Sequence, residues 1–216
     1  RAKQFVVVGD PKQLPPSSFF ASTINPDDLD PDDQLASADS ESILEVAQKS
    51  MPPKRYRRLK MHYRSEHESL IAFSNKHFYD NDLVIFPAPF KIGGRLGIEF
   101  VHVPEGEFGS GQVNRVEAEA VVDAIVDHAL QYEHLGDRMP SIGVAAMNKQ
   151  QSILITDILD SRCQRELPLR NLINRLDALR EPLFIKNLEN VQGDERDNIF
   201  VSFTYGRPPG ADSVPQ

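Results

Sequence analysis

Three polar clusters, each set against an apolar run, hold the residue types that could do chemistry in this chain. The first, Val8-Gly9-Asp10-Pro11-Lys12-Gln13-Leu14-Pro15-Pro16, follows the short apolar stretch from Gln4 to Val8. Prolines on both sides restrict the backbone, so a strand ending in Gly-Asp-Pro can hold the Gln13 amide at one place beyond a sheet. The second, Met61-His62-Tyr63-Arg64-Ser65, sets an arginine just before a helical pattern. The third, Asn190-Val191-Gln192-Gly193-Asp194-Glu195-Arg196-Asp197, precedes the run from Asn198 to Phe203. Amides, an arginine and carboxylates near strand ends are the groups that bind phosphate and sugar. Spacing alone names no reaction, because a lone Gln-Gly turn or Tyr-Arg pair arises often by chance.

These clusters need elements to position them. Gln4 to Val8 reads as a buried strand running into a turn, so the chain is read as starting inside a domain. Pro15, Pro16, Pro26 and Pro31 mark an extended connection, and a helix after Ser40 is stopped by Pro52-Pro53. Ser65 with Glu68 has capping-box spacing ahead of a helix carrying Leu70, Ile71, Phe73 and Phe78. Leu83–Phe86 and Ile98–Val103 read as strands. Asn114 opens a long amphipathic helix with Val116, Ala120, Val121, Ala124, Ile125 and Ala129 on one face. Beyond it come a strand over Ser141–Met147, a helix over Gln151–Leu159 and an additional helix over Leu167–Leu179. Strands over Leu183–Ile185 and Ile199–Phe203 follow. The alternation predicts an α/β fold, a parallel sheet with helices on both faces, with ligands at the carboxyl ends of the strands.

Composition narrows the function classes. The chain has 216 residues, 40% of them hydrophobic, enough for one full domain and an appendage. No apolar run approaches membrane-spanning length, so no membrane partner is expected. The single cysteine, Cys163, excludes an intrachain disulfide framework and suits a cytoplasmic protein. The six histidines show no ligand spacing with nearby carboxylates, and no metal site is expected. A net charge of −8 argues against a module that coats nucleic acid by charge alone. The charge is uneven: Asp27 to Glu45 carries no Lys or Arg, and then Lys54, Arg55, Arg57, Arg58, Lys60 and Arg64 follow closely.

Together and in this order, the segments resemble the superfamily 1B helicases related to the nonsense-mediated-decay RNA helicase, a group that includes large bacterial DNA helicases. Gly9 to Pro16 resembles motif III; Leu59 to Pro87, with Tyr63-Arg64-Ser65 and Phe78-Tyr79, resembles motif IV and its following helix. Ile142-Gly143-Val144 through Asn148-Lys149-Gln150-Gln151 is similar to the next family strand and loop, and Gln192 to Asp197 to motif V. The resemblance runs over nearly the whole chain. It implies a RecA-like P-loop NTPase fold: residues 1–54 as the end of a first lobe and a connector, and residues 55–216 as the second motor lobe, short of its final motif.

It also implies roles. Gln13 senses the γ-phosphate and helps orient the attacking water, and Arg64 is an arginine finger on that phosphate. Gln192 and Gly193 form a turn close to the nucleotide, with Glu195 approaching the ribose. Pro15, Pro16, Asn148, Gln150, Asn187 and Asn190 lie where the family faces single-stranded nucleic acid, DNA in preference to RNA. The sequence departs from the family at Ala145-Ala146-Met147, where many relatives have a threonine and an aromatic, and at Asn187, where many have a threonine. Neither a Gly-x-x-x-x-Gly-Lys-[Ser/Thr] loop nor its magnesium-binding acidic pair occurs in these residues. ATP and Mg²⁺ are therefore expected to bind with a first motor lobe as partner, and the chain is expected to be inactive alone. Two alternatives stand beside this reading: a non-catalytic interaction module with a helicase-like fold, and the motor part of a helicase-nuclease.

Overall fold

The computed structural model describes residues 4–12, 43–88 and 97–211. The chain divides into two compact units, Arg1–Phe100 and Val101–Gln216. Among the described residues it is mixed α/β, with two sheets in which every strand pair is parallel.

In the first unit, helix α1 (Ile43–Ser50) leads through a single 3-10 turn (Pro53–Arg55) to strand β1 (Met61–His62), helix α2 (Ser69–Phe78) and strand β2 (Val84–Ile85). Pro52 and Pro53 end α1 as expected, since proline has no N–H to continue the ladder. β1 and β2 pair Met61 with Val84 and His62 with Ile85, a parallel pair that requires the α2 crossover. Asn75, buried in α2, fixes the return strand: its side chain accepts from Leu83 N at 3.0 Å and donates to Leu83 O at 3.2 Å. Asp80 and Asn81, both left-handed (φ 55° and 57°), turn the chain between them, a conformation that Asx residues tolerate best after glycine.

Three expectations in this region need correction. The capping box does not form, because Ser65 N–H and hydroxyl both engage His62 Nε2 (3.2 and 2.7 Å) and Glu68 Oε2 accepts from Ala88 N at 2.9 Å. Helix α2 starts four residues after Ser65 instead, with Glu68 as its cap. Gln4–Val8 carries no strand pairing, and Phe5 and Val8 are 64% and 81% exposed. Ile98–Val103 likewise carries no strand ladder, with Phe100 77% exposed. A strand exists through its ladder, and neither segment has one among the described residues.

The second unit runs α3 (Arg115–Tyr132), β3 (Ile142–Ala146), α4 (Lys149–Arg165), α5 (Leu167–Asp177), β4 (Phe184–Asn187) and β5 (Asn198–Ser202). The sheet order is β4-β3-β5, so β3 is central and all five of its residues are buried. Ile142, Val144 and Ala146 point into one core with Ala118, Val122, Ile125 and Ala129 of α3, Ile155 and Leu159 of α4, and Leu169, Leu172, Ile173 and Leu176 of α5. Helix α3 therefore buries a stripe rotated from the expected one, and Val116 is 40% exposed. Its first turn is anchored through Asn114, whose side chain accepts from Glu117 N and whose backbone bonds Gln151.

Gly143, Phe184 and Ile199 lie in register on the other face of the sheet. A Cβ at Gly143 would stand 2.3 Å from Phe184 Cζ, so the ring occupies the space that a side chain would take. Over the same ring lie the Arg196 guanidinium at 4.8 Å and Lys186 Nζ at 5.2 Å. Gly143→Ala is expected to destabilise the second unit by roughly 1–3 kcal/mol through overpacking, read from urea unfolding. An unchanged midpoint would contradict the packing described for Phe184.

Candidate functional site

The carboxyl ends of the three strands in the second unit bring Ala146, Asn187 and Ser202 into one row. Around this edge, Gln151 is completely buried, and its side-chain amide is fully used. Oε1 accepts from Asn114 N at 2.9 Å, and Nε2 donates to Asn114 O at 3.0 Å and to Ser202 Oγ at 3.2 Å. Ser202 Oγ donates to Glu117 Oε1 at 2.8 Å, and the same oxygen accepts from Thr204 N at 3.0 Å. Thr204 is buried and left-handed (φ 66°), a conformation that costs a β-branched residue energy and that this bond helps hold. The network ties the starts of α3 and α4 to the end of β5.

Asn148, expected to face nucleic acid, has another task. Its Oδ1 accepts from Gln151 N at 2.8 Å as the N-cap of α4, and its Nδ2 donates to Gln112 O at 2.9 Å. Gln150 is exposed on the first turn of that helix.

The segment after β4 is a built turn. A 3-10 turn (Leu188–Asn190) is closed by Asn190 Nδ2 donating to Asn187 Oδ1 at 2.6 Å. Asp194 N then donates to Val191 O at 3.0 Å, and Gly193 takes φ +91°. That φ strains any residue with a Cβ, which is why glycine suits this position. Asp194 pairs with Lys186 at 2.6 Å, while Arg196 clasps Pro182 O through Nε and Nη2 at 2.9 and 2.7 Å. Asp197 Oδ2 accepts from Ser141 N and Oγ at 2.7 and 3.0 Å. Asp194, Arg196 and Asp197 thus hold the turn to the body of the unit. Gln192, Gly193 and Glu195, the residues expected at the nucleotide, are exposed, as are Leu188, Glu189, Asn190 and Asp197.

In the first unit, Arg64 is exposed in the loop between β1 and α2. Gln13, Pro15 and Pro16 lie outside the described residues. Part of the basic run is structural: Lys60 and Arg58 reach Asp82 at 2.5 and 3.5 Å, and Arg57 donates to the Lys54 and Tyr56 carbonyls. The hydrogen bond from Lys60 holds the Asp82 carboxyl below its ordinary range. Tyr79 OH donates to Asp10 Oδ2 at 2.5 Å, which pushes the phenol up to about 12. In the second unit, burial raises the Cys163 thiol and leaves it poorly suited to nucleophilic work. Among the described residues no group of three His, Cys, Asp or Glu side chains could hold a metal, and no helix is long and apolar enough to cross a membrane.

No family model matches the chain, and no solved structure matches it. Two curated proteins do. The uncharacterized ATP-dependent helicase MG140 of Mycoplasma genitalium is 33% identical over 213 residues, covering 96% of this chain and 18% of that protein. The MG140 homolog of Mycoplasma pneumoniae is 33% identical over 214 residues, again with 96% of this chain and 18% of that protein covered. The chain thus spans about a fifth of the length of the curated relatives it matches.

Two measurements test the site as built. Gln151→Leu leaves the buried Asn114 N–H without its partner and removes one of two donors to Asn114 O, which keeps Ala118 N at 3.0 Å. It is expected to cost roughly 1–3 kcal/mol in urea unfolding, whereas a loss below ~0.5 kcal/mol would show that the hub is dispensable. Tyrosinate absorbance of the chain should show one late phenol ionising near pH 12, and Tyr79→Phe should remove it. Because the folded value is raised, the stabilisation by this bond is fully present below the ordinary phenol range and disappears as pH climbs through the folded value.

Proposed function

We propose that this chain is part of an ATP-dependent nucleic-acid motor of the superfamily 1B helicase type. The observation that carries the proposal is the similarity, over 96% of the chain, to two proteins named as ATP-dependent helicases. The parallel α/β architecture, with a polar turn at the carboxyl ends of its strands, is the setting in which such proteins bind phosphate and sugar.

In this reading residues 1–54 are the end of one motor lobe with its connector, and residues 55–216 belong to the second. Arg64 brings a fixed positive charge to the γ-phosphate, where charge spreads over the phosphoryl oxygens in the transition state. Gln13 orients the attacking water from its proline-bounded loop. At the nucleotide, the Gly193 turn permits close backbone approach, and the exposed carboxylate of Glu195 accepts from ribose hydroxyls, with Gln192 beside it. This donor and acceptor set fits the sugar and phosphate of ATP. It does not fit magnesium, which is assigned to the lobe bearing the phosphate loop.

Single-stranded nucleic acid, DNA in preference to RNA, is assigned to the strand-end edge through Gln150, Asn187 and Asn190, and to Pro15 and Pro16. Asn148 contributes by holding the start of α4, its side chain being committed to Gln112 and Gln151. These are neutral groups that track a backbone and bring little charge, in keeping with the net charge of −8.

The test is Arg64→Ala in the intact protein, assayed for ATP hydrolysis with saturating single-stranded DNA. The expected result is a fall in kcat of ~10³-fold or more with ATP binding retained. Wild-type hydrolysis by Arg64→Ala would remove the finger role. A wild-type protein that is folded but hydrolyses no ATP would replace the motor with a binding module.

A further inference from the structure

We propose that Tyr79 is a positioning residue for the Gly-Asp-Pro loop that leads into Gln13, acting through a latch on the Asp10 carboxylate. Both oxygens of that carboxylate are committed. Oδ1 accepts from Lys12 N at 2.9 Å, folding the loop back on itself, and Oδ2 accepts from Tyr79 OH at 2.5 Å. A carboxylate held by a phenol across 69 residues of sequence joins two segments that local structure alone would leave independent. A second contact acts on the same loop: a Cβ at Gly9 would stand 3.1 Å from Leu44 Cδ2, so the glycine lets the backbone settle against α1.

The other end of the latch is hydrogen-bonded into its helix and the following strand. Tyr79 caps α2, its N–H donating to Asn75 O at 3.3 Å, and Asn75 in turn pins Leu83 at the entry to β2. β2 pairs in parallel with β1, and Arg64 follows β1 by two residues. A continuous set of backbone and side-chain bonds therefore runs from the β1–α2–β2 unit to the Lys12 amide. The inference rests on the helicase reading for what the loop does, since that reading assigns Gln13 and Arg64 to one phosphate. The latch itself is a statement about bonds in this chain.

The experiment removes one oxygen. Tyr79→Phe in the intact protein keeps the ring and its packing and deletes the donor. Amide exchange by NMR at Lys12 is expected to quicken several-fold while the α2 amides keep their wild-type rates. Steady-state kinetics with saturating single-stranded DNA should show kcat lower by ~10-fold and KM for ATP within two-fold, the signature of a lost orienting contact and not of lost binding. Unchanged exchange at Lys12 overturns the latch. So does a general quickening across the first unit with a lower Tm, which would mean a structural role only. Faster exchange at Lys12 with wild-type kcat overturns the positioning role. If the wild-type protein hydrolyses no ATP, the helicase reading fails, and exchange at Lys12 still decides whether the latch exists.

Discussion

The second unit depends on a single buried amide. Gln151 has no exposed surface, so each of its polar atoms must find a protein partner or impose a desolvation penalty. It finds them on Asn114 and Ser202, which sets the starts of the two longest helices and the end of β5 in one fixed relation. Other features follow from this constraint. Ala118 and Val122, one turn apart on α3, are fully buried in one core with Ile142, Val144 and Ala146 of the central strand. Glu117, in the first turn of α3, reaches Ser202 and Thr204 and helps hold a strained backbone at the strand end. A polar hub of this kind favours one arrangement over its neighbours, because a slip in register would leave several buried groups unpaired.

Much of this was legible in the sequence where the signal is local. Asn114 precedes a helix and caps it through the residue three positions on, and Pro52-Pro53 stops a helix by chemistry that needs no tertiary context. The parallel α/β class follows from alternating apolar runs. What was not legible depends on distant partners. Gln151 reads as one more polar residue in a Lys-Gln-Gln run, because the groups that bury it are 37 and 51 residues away. Ser65 and Glu68 have the spacing of a capping box, yet His62 and the Ala88 amide take their bonding groups first. The partners of the Asn148 amide, Gln151 N and the Gln112 carbonyl 36 residues away, are likewise invisible in its local sequence.

The turn after β4 is tied to the body of the unit. Asp194, Arg196 and Asp197 bond Lys186, the Pro182 carbonyl and Ser141. Gln192, Gly193 and Glu195 are exposed in the same segment. Preorganisation of this sort is what a nucleotide site needs, since groups already placed lose little entropy when ligand arrives. In the first unit, Arg64 is exposed in the loop after the first strand of the β–α–β crossover.

The central claim is that these elements serve an ATP-driven motor on nucleic acid. The most direct measurement is ATP turnover by the intact wild-type protein, with and without single-stranded DNA. The account predicts slow hydrolysis that rises severalfold or more when the strand is added. A folded protein whose ATP turnover is absent, or is indifferent to single-stranded DNA and RNA alike, would contradict it.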